Sequence, residues 1–210
     1  MNPVQMFYTN NYFKELKETE PFKEYLDKEE EIIKQVVKGG KCLDVGCSNG
    51  LRSTRILSDI CDSVIGIDFS YTAIKDAKRN FKDIIFFYED AKSTHFSDNS
   101  FDYVVMSWNL FGNLYSSRDL VLAEAKRIVK DNGLIVISTF SENVLEPYKE
   151  LVSVNGLNID HIDENYAFLR EGLVSERFSE SKLRDIFSKF DLDADIAKLT
   201  DIAYFCEVRK

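Results

Sequence analysis

Leu43-Asp44-Val45-Gly46-Cys47-Ser48-Asn49-Gly50 carries an apolar run into a glycine-bounded loop. Residues 42–46 are short and apolar, the length of a strand, and they run into two glycines with a helical stretch, residues 50–58, behind them. Gly46 and Gly50 let the backbone turn tightly and let a ligand approach it closely. The free N–H groups that open the following helix point at the same spot. A strand, a glycine loop and a helix in that order can bind a ligand, and they can equally be a plain turn.

Outward from the loop the alternation continues. A helix over residues 20–38 carries Phe22, Tyr25, Leu26, Ile32, Ile33, Val36 and Val37 at roughly helical spacing, and Gly39-Gly40 ends it. A second strand is expected over 63–68, after which Ser70 caps a helix bearing Ile74 and Ala77. Further strands are expected over 84–88, 101–108 and 133–140, with a helix over 117–130 that leaves through Asp131-Asn132-Gly133. Continuous apolar strands alternating with helices predict a parallel sheet covered on both faces.

The last third changes character. A helix near 142–153 is followed by an irregular stretch, 154–178, with extended segments at 166–170 and 173–178. Ser179 caps a helix to about Phe190, and residues 193–210 read as two strands that pair as an antiparallel hairpin at the sheet edge. No repeat, low-complexity tract or linker interrupts the chain, so one domain over residues 1–210 is expected.

Bulk properties narrow the function. With 210 residues, 44% hydrophobic and 30% charged, the chain suits one ordinary globular core. It holds no apolar run long enough for a transmembrane helix, and its start, MNPVQMFYTNNYFKEL, lacks the basic-then-apolar order of a secretory signal. Cys42, Cys47, Cys61 and Cys206 form no CxxC pair, which predicts reduced thiols in the cytoplasm. Two histidines, His95 and His161, are too few to build a metal site with distant cysteines, so none is expected. A net charge of −9 without a basic stripe argues against a nucleic-acid partner.

A dinucleotide loop reads GxGxxG and seats a pyrophosphate on the helix start. Here the spacing is Gly46-x-Ser48-x-Gly50, and Asp44 stands two places before the first glycine. Its carboxylate would repel a pyrophosphate and suits a cationic ligand such as an amino-sulfonium. At these residues the chain resembles the class I S-adenosylmethionine-dependent methyltransferases, whose first strand carries an acidic residue and then GxGxG; Ser48 replaces the middle glycine. The resemblance runs over roughly residues 35–140 and the terminal hairpin. It implies a doubly wound, Rossmann-like, mostly parallel seven-stranded sheet with a C-terminal antiparallel hairpin, and S-adenosylmethionine as cofactor.

The resemblance also assigns roles. Asp44, Gly46, Cys47, Ser48 and Gly50 form the donor loop. Asp68, at the end of the second strand, would hold the ribose hydroxyls, and Phe69 would pack on adenine. Asp90, in Glu89-Asp90-Ala91 after the third strand, would meet the adenine amino group, with Ala91 beside it. Phe101-Asp102-Tyr103-Val104-Val105 opens the fourth strand in the family manner. Each site has a plainer reading: Asp68 as a helix cap, Asp90 as a loop carboxylate, Phe69 as packing.

The methyl group should point to the end of strand four, Ser107-Trp108-Asn109-Leu110-Phe111-Gly112-Asn113. Transfer is an in-line displacement on an activated donor, so alignment and exclusion of water matter more than a fixed triad. Ser107 is placed at the donor. Trp108, with Phe111 and Leu114, would exclude water, and Asn109 would orient a polar acceptor; core packing and loop formation are the alternatives. Asn109-Leu110-Phe111-Gly112 lacks the Pro-Pro-aromatic motif of amino-methylases, and no Pro-Cys pair suggests a cytosine enzyme. A small polar metabolite or a lipid remains as acceptor.

Two regions are candidates for specificity. The aromatic cluster at residues 7–13 within the N-terminal segment 1–38 is a lid or a packing segment. The stretch 154–178 is a candidate substrate-specificity insertion, with Arg170 or Arg177 suited to a carboxylate and His161 as general base. Two rivals to an enzyme of this class are a non-enzymatic S-adenosylmethionine-binding partner subunit and a nicotinamide-dependent oxidoreductase.

Overall fold

The computed structural model describes residues 17–210; the aromatic cluster at 7–13, and with it the lid, lies outside the described residues. Helix α1 (Glu20–Val36) buries Phe22, Tyr25, Glu29 and Ile33, one stripe at helical spacing in which a glutamate takes an apolar position. Gly39 and Gly40, at φ +64° and +69°, turn the chain into β1 (Lys41–Val45). Then come α2 (Ser53–Ser58), β2 (Ser63–Asp68), α3 (Tyr71–Asn80), β3 (Ile85–Tyr88) and β4 (Phe101–Met106). A one-turn helix α4 (Leu110–Asn113) leads to α5 (Arg118–Ile128) and β5 (Val129–Phe140). Helix α6 (Leu145–Val154) precedes three short strands, β6 (Ile159–Ile162), β7 (Tyr166–Leu169) and β8 (Val174–Glu176). Helix α7 (Glu180–Ser188) and strands β9 (Asp193–Thr200) and β10 (Ala203–Arg209) complete the chain.

The main sheet has seven strands in the order β3-β2-β1-β4-β5-β10-β9. The first five run parallel, and β10 is antiparallel to both β5 and β9. Both faces are covered. Ile33 and Val37 with Ile56 and Leu57 of α2 pack one face of the sheet; Val121, Leu122 and Ile128 of α5 with Leu183 and Phe187 of α7 pack the other. Strand order reverses between β1 and β4, which opens a crevice at their carboxyl ends. This is the doubly wound, Rossmann-like sheet that the resemblance implied, with the antiparallel hairpin at its edge.

Two capping serines act as read: the Ala73 N–H donates to Ser70 Oγ at 3.3 Å, and the Lys182 N–H to Ser179 Oγ at 3.3 Å. Other elements differ from the sequence reading. Strand β5 starts at Val129, so Asp131-Asn132-Gly133 is an irregularity inside the strand rather than a turn before it. Gly133 is required there because a Cβ would stand 2.8 Å from the Asp102 carbonyl. The stretch expected to be irregular, 154–178, forms the antiparallel sheet β6-β7-β8, and β6 had no strand signal beyond Ile159 and Ile162.

Candidate functional site

The crevice at the carboxyl ends of β1, β2, β3 and β4 is a cleft of about 460 Å³. Gly46, Cys47, Ser48 and Asn49 form its floor; Asp68 and Phe69, then Glu89 to Lys92, form one end. Ser107, Trp108, Leu110 and Asn113 form the other, closed above by Glu18, Glu29 and Glu30 and by Arg52 of the loop leading into α2. The volume lies in the range of small-molecule and cofactor sites.

The loop after β1 is built by backbone strain held in place. Gly46 has φ +71°, Ser48 φ +52° and Gly50 φ +79°. Ser48 takes a left-handed conformation that glycine adopts more cheaply. Its N–H donates to Asp68 Oδ2 at 3.0 Å, while Asp68 Oδ1 accepts the Ser70 N–H at 2.7 Å. Asp68 therefore ties the loop to the end of β2 and keeps lone pairs for a ligand. Burial pushes its carboxyl up to about 6, against the pull of those two N–H groups.

Asp44 and Gly50, expected at the ligand, stand beneath it. Asp44 is fully buried and accepts from Ser53 Oγ at 2.8 Å and Thr54 Oγ1 at 2.5 Å. It pins the first turn of α2 to β1, and burial raises its carboxyl to about 7. It is not part of the cleft wall, so direct attraction of a cation falls to other carboxylates. Gly50 is needed for packing, since a Cβ would lie 2.9 Å from Phe81.

The strand-four residues divide. Ser107 and Trp108 line the cleft. Trp108 stacks on Tyr25 at 5.5 Å between ring centroids, and Arg52 lies over its face at 4.6 Å. Asn109 does not line the cleft. It is buried at φ +53°; its Oδ1 accepts from Thr139 Oγ1 at 2.8 Å and the Phe140 N–H at 2.9 Å. Its Nδ2 donates to Asn113 Oδ1 at 3.2 Å and Ser175 Oγ at 3.1 Å. Every polar atom of that amide is engaged, so it clasps β5, α4 and β8 together. His161, read as a base, is exposed on β6, stacked on Phe168 at 4.3 Å with Nδ1 2.8 Å from Asp160. It lines neither this cleft nor its neighbour. Arg177 spends its guanidinium on the carbonyls of Asp163 and Glu164.

At the other end, Asp90 pairs with Lys92 at 3.1 Å and accepts the Lys92 N–H at 3.0 Å; Ala91 and Phe69 lie beside it on the wall. A second cavity of about 60 Å³ adjoins the cleft, and Trp108 and Asn113 line both. Its remaining wall includes Phe140, Leu151, Leu157 and Leu173, under α6 and the segment that follows. Asn155, also on that wall, is occupied by the Lys17 backbone and the Leu151 carbonyl.

Sequence reading missed Glu29 and Arg52. Glu29 is 2% exposed. The Trp108 N–H donates to its Oε1 at 2.8 Å, Tyr25 Oη at 3.2 Å, and Ser138 Oγ donates to the same oxygen. Burial raises its carboxyl, opposed by these donors and by the charge of Arg52. The signal was present: Phe22, Tyr25, Glu29 and Ile33 share one helical stripe, and an acid in an apolar stripe needs an explanation. Among the described residues, no group of three or more histidine, cysteine, aspartate or glutamate side chains is arranged to hold a metal, and no helix is long and apolar enough to cross a membrane.

Residues 43–137 match the family model described as a methyltransferase domain. The chain is 35% identical over 113 residues to the demethylmenaquinone methyltransferase of Renibacterium salmoninarum, covering 54% of this chain and 46% of that relative. It is 32% identical over 123 residues to the enzyme of the same name from Staphylococcus carnosus, covering 55% and 49%. The chain thus spans about half the length of the curated relatives it matches. Among solved structures, the PH0226 protein of Pyrococcus horikoshii superimposes with a TM-score of 0.71 at 19% identity over 98% of this chain and 96% of its own. The complex of DhpI with SAH does so with 0.71 at 16% identity over 99% and 95%. These likenesses extend over the terminal hairpin and the segment 154–178, beyond the matched domain.

Proposed function

We propose that the protein is an S-adenosylmethionine-dependent methyltransferase acting on a small acceptor with an apolar part. The observation that carries this is the cleft at the strand-order switch, with the loop after β1 tied to Asp68 at the end of β2. The matched methyltransferase domain and the neighbour solved with SAH support it. The residues fit the cofactor. Asp68 keeps acceptor capacity for ribose hydroxyls, and the wall from Phe69 to Ala91 offers a face and a carboxylate for adenine. Glu29, Asp68 and Glu89 make the lining acidic, which suits a cationic ligand.

When bound, S-adenosylmethionine supplies an electrophilic methyl group on a sulfonium. Trp108, backed by Tyr25 and Phe140, gives a rigid wall at the end of β4 that excludes water from that region. Leu110, Asn113 and Leu114 narrow the same end. The acceptor enters from the second cavity, where the Asn109 and Asn155 amides are already paired within the protein and the rest of the wall is mostly apolar, so an apolar group is what it would accept. This cavity favours an enzyme over a non-catalytic donor-binding subunit. The segment 154–178 contributes Leu157 and Leu173 to it, a specificity role by position rather than through His161. Free cysteines fit a reducing, cytoplasmic setting.

Incubation with methyl-labelled S-adenosylmethionine and a panel of small acceptors, demethylmenaquinone among them, tests the reading. Label in an extractable small product is expected. Donor binding without label transfer to any acceptor would favour the non-catalytic subunit.

A further inference from the structure

Glu29 and Arg52 stand on the same end of the cleft and share Trp108, yet they do not pair with each other among the described ion pairs. Arg52 donates to Glu18 at 2.9 Å and covers the Trp108 ring. Glu29 holds the Trp108 backbone N–H. All three donors that reach Glu29 come to Oε1; among the described residues none reaches Oε2, and Oε2 is not one of the sealed, partnerless polar atoms. A buried carboxylate that lines a cleft, with one oxygen fully engaged and the other without a donor, is set to accept hydrogen bonds from a ligand. Arg52, about a third exposed and bound to an exposed partner, can exchange Glu18 for a ligand carboxylate at low cost.

The layout of the cleft says which part of a ligand arrives there. Its β2–β3 end presents Asp68, Phe69 and Asp90, chemistry for a nucleoside. The opposite end presents one carboxylate and one guanidinium flanking an aromatic face, chemistry for an α-amino acid zwitterion. We propose that Glu29 and Arg52 form the receptor for the amino-acid end of the bound donor, the ammonium donating to Glu29 Oε2 and the carboxylate accepting from Arg52. This rests on the donor reading above and deepens it: helix α1, which precedes the matched domain at 43–137, becomes part of the donor site. Asp44, buried under Ser53 and Thr54, leaves this task to Glu29.

Calorimetric titration of the full chain and of Glu29→Gln and Arg52→Gln with three probes tests it. The probes are S-adenosylhomocysteine, its decarboxylated analogue, which keeps the ammonium, and 5′-methylthioadenosine, which lacks the amino-acid end. Gln at 29 retains an oxygen for the Trp108 N–H, and position 52 is exposed enough to tolerate change. Glu29→Gln should weaken the first two probes by about tenfold or more, the effect of losing a charged hydrogen bond, and leave methylthioadenosine unchanged. Arg52→Gln should weaken S-adenosylhomocysteine alone. Equal loss on all three probes would show that Glu29 acts only by shaping the Trp108 segment, and no loss on any would place it at the acceptor; both overturn the proposal. Failure of the unmodified protein to bind S-adenosylhomocysteine would instead overturn the function itself.

Discussion

Asp44 and Asp68 show how burial gives similar residues different work. Both carboxyls sit above the ordinary range, at about 7 and about 6, because burial disfavours their charge. An acid whose folded pKa is raised favours the folded state most fully below its unfolded value, about 4, and that contribution is lost as pH rises through the folded value. Stability carried by these two groups therefore falls between about pH 4 and 7. Asp44→Asn should flatten that fall, read as a smaller drop in urea midpoint between pH 4.5 and 7.5; parallel profiles would contradict it. Donor affinity should move the other way, declining as pH is lowered through about 6 and Asp68 loses its charge. Asn109 takes the loop-holding role that was its alternative reading, and His161 lines neither cavity. Asn109→Ala leaves the buried Phe140 N–H and Thr139 hydroxyl without an acceptor and should cost about 2–4 kcal/mol of stability, measured by denaturant. His161→Ala should stay within about 0.5 kcal/mol and leave turnover unchanged, as an exposed residue that lines neither cavity.

At the scale of elements, the loop after β1 and helix α1 both wall the cleft. Gly46→Val adds a branched side chain at φ +71° and brings a Cβ to 2.9 Å from the Leu110 side chain on the far wall of the cleft. It should abolish donor binding while circular dichroism remains folded; normal binding would refute the loop's role. Ser48→Gly should preserve binding and lower no melting temperature, because it relieves a left-handed serine. The strands, the two serine caps and the glycine loop were legible because each has local chemistry: apolar runs, a hydroxyl before a helix, residues that tolerate positive φ. The partition of Asp44, Asp68 and Asn109 between scaffold and site was not. It depends on which side chains α2, β5 and β8 bring against them, and sequence spacing does not encode that. Glu29 lay between the two cases, visible as an anomaly in an amphipathic stripe but without a site until Trp108 met it.

For the whole molecule, the order β3-β2-β1-β4-β5-β10-β9 brings the loops after β1, β2, β3 and β4 to one crevice at the carboxyl ends of the strands. Alternating strands and helices implied a doubly wound sheet, and the short apolar strand ahead of the glycines marked its centre. The small sheet β6-β7-β8 was illegible beyond two extended segments, since short antiparallel strands with mixed charges resemble surface loops. Leu157 and Leu173, which flank that sheet, line the second cavity together with α6, so the part hardest to read adjoins the place proposed for the acceptor. Binding of the methyl donor in this cleft is what the proposed function requires first. Calorimetric titration of the purified chain with S-adenosylmethionine, S-adenosylhomocysteine, NAD and NADP tests it most directly. Micromolar binding of the two adenosyl ligands, about −8 kcal/mol, and none of the nicotinamide cofactors is expected; binding of a nicotinamide cofactor alone, or of none of the four, would overturn the proposed function.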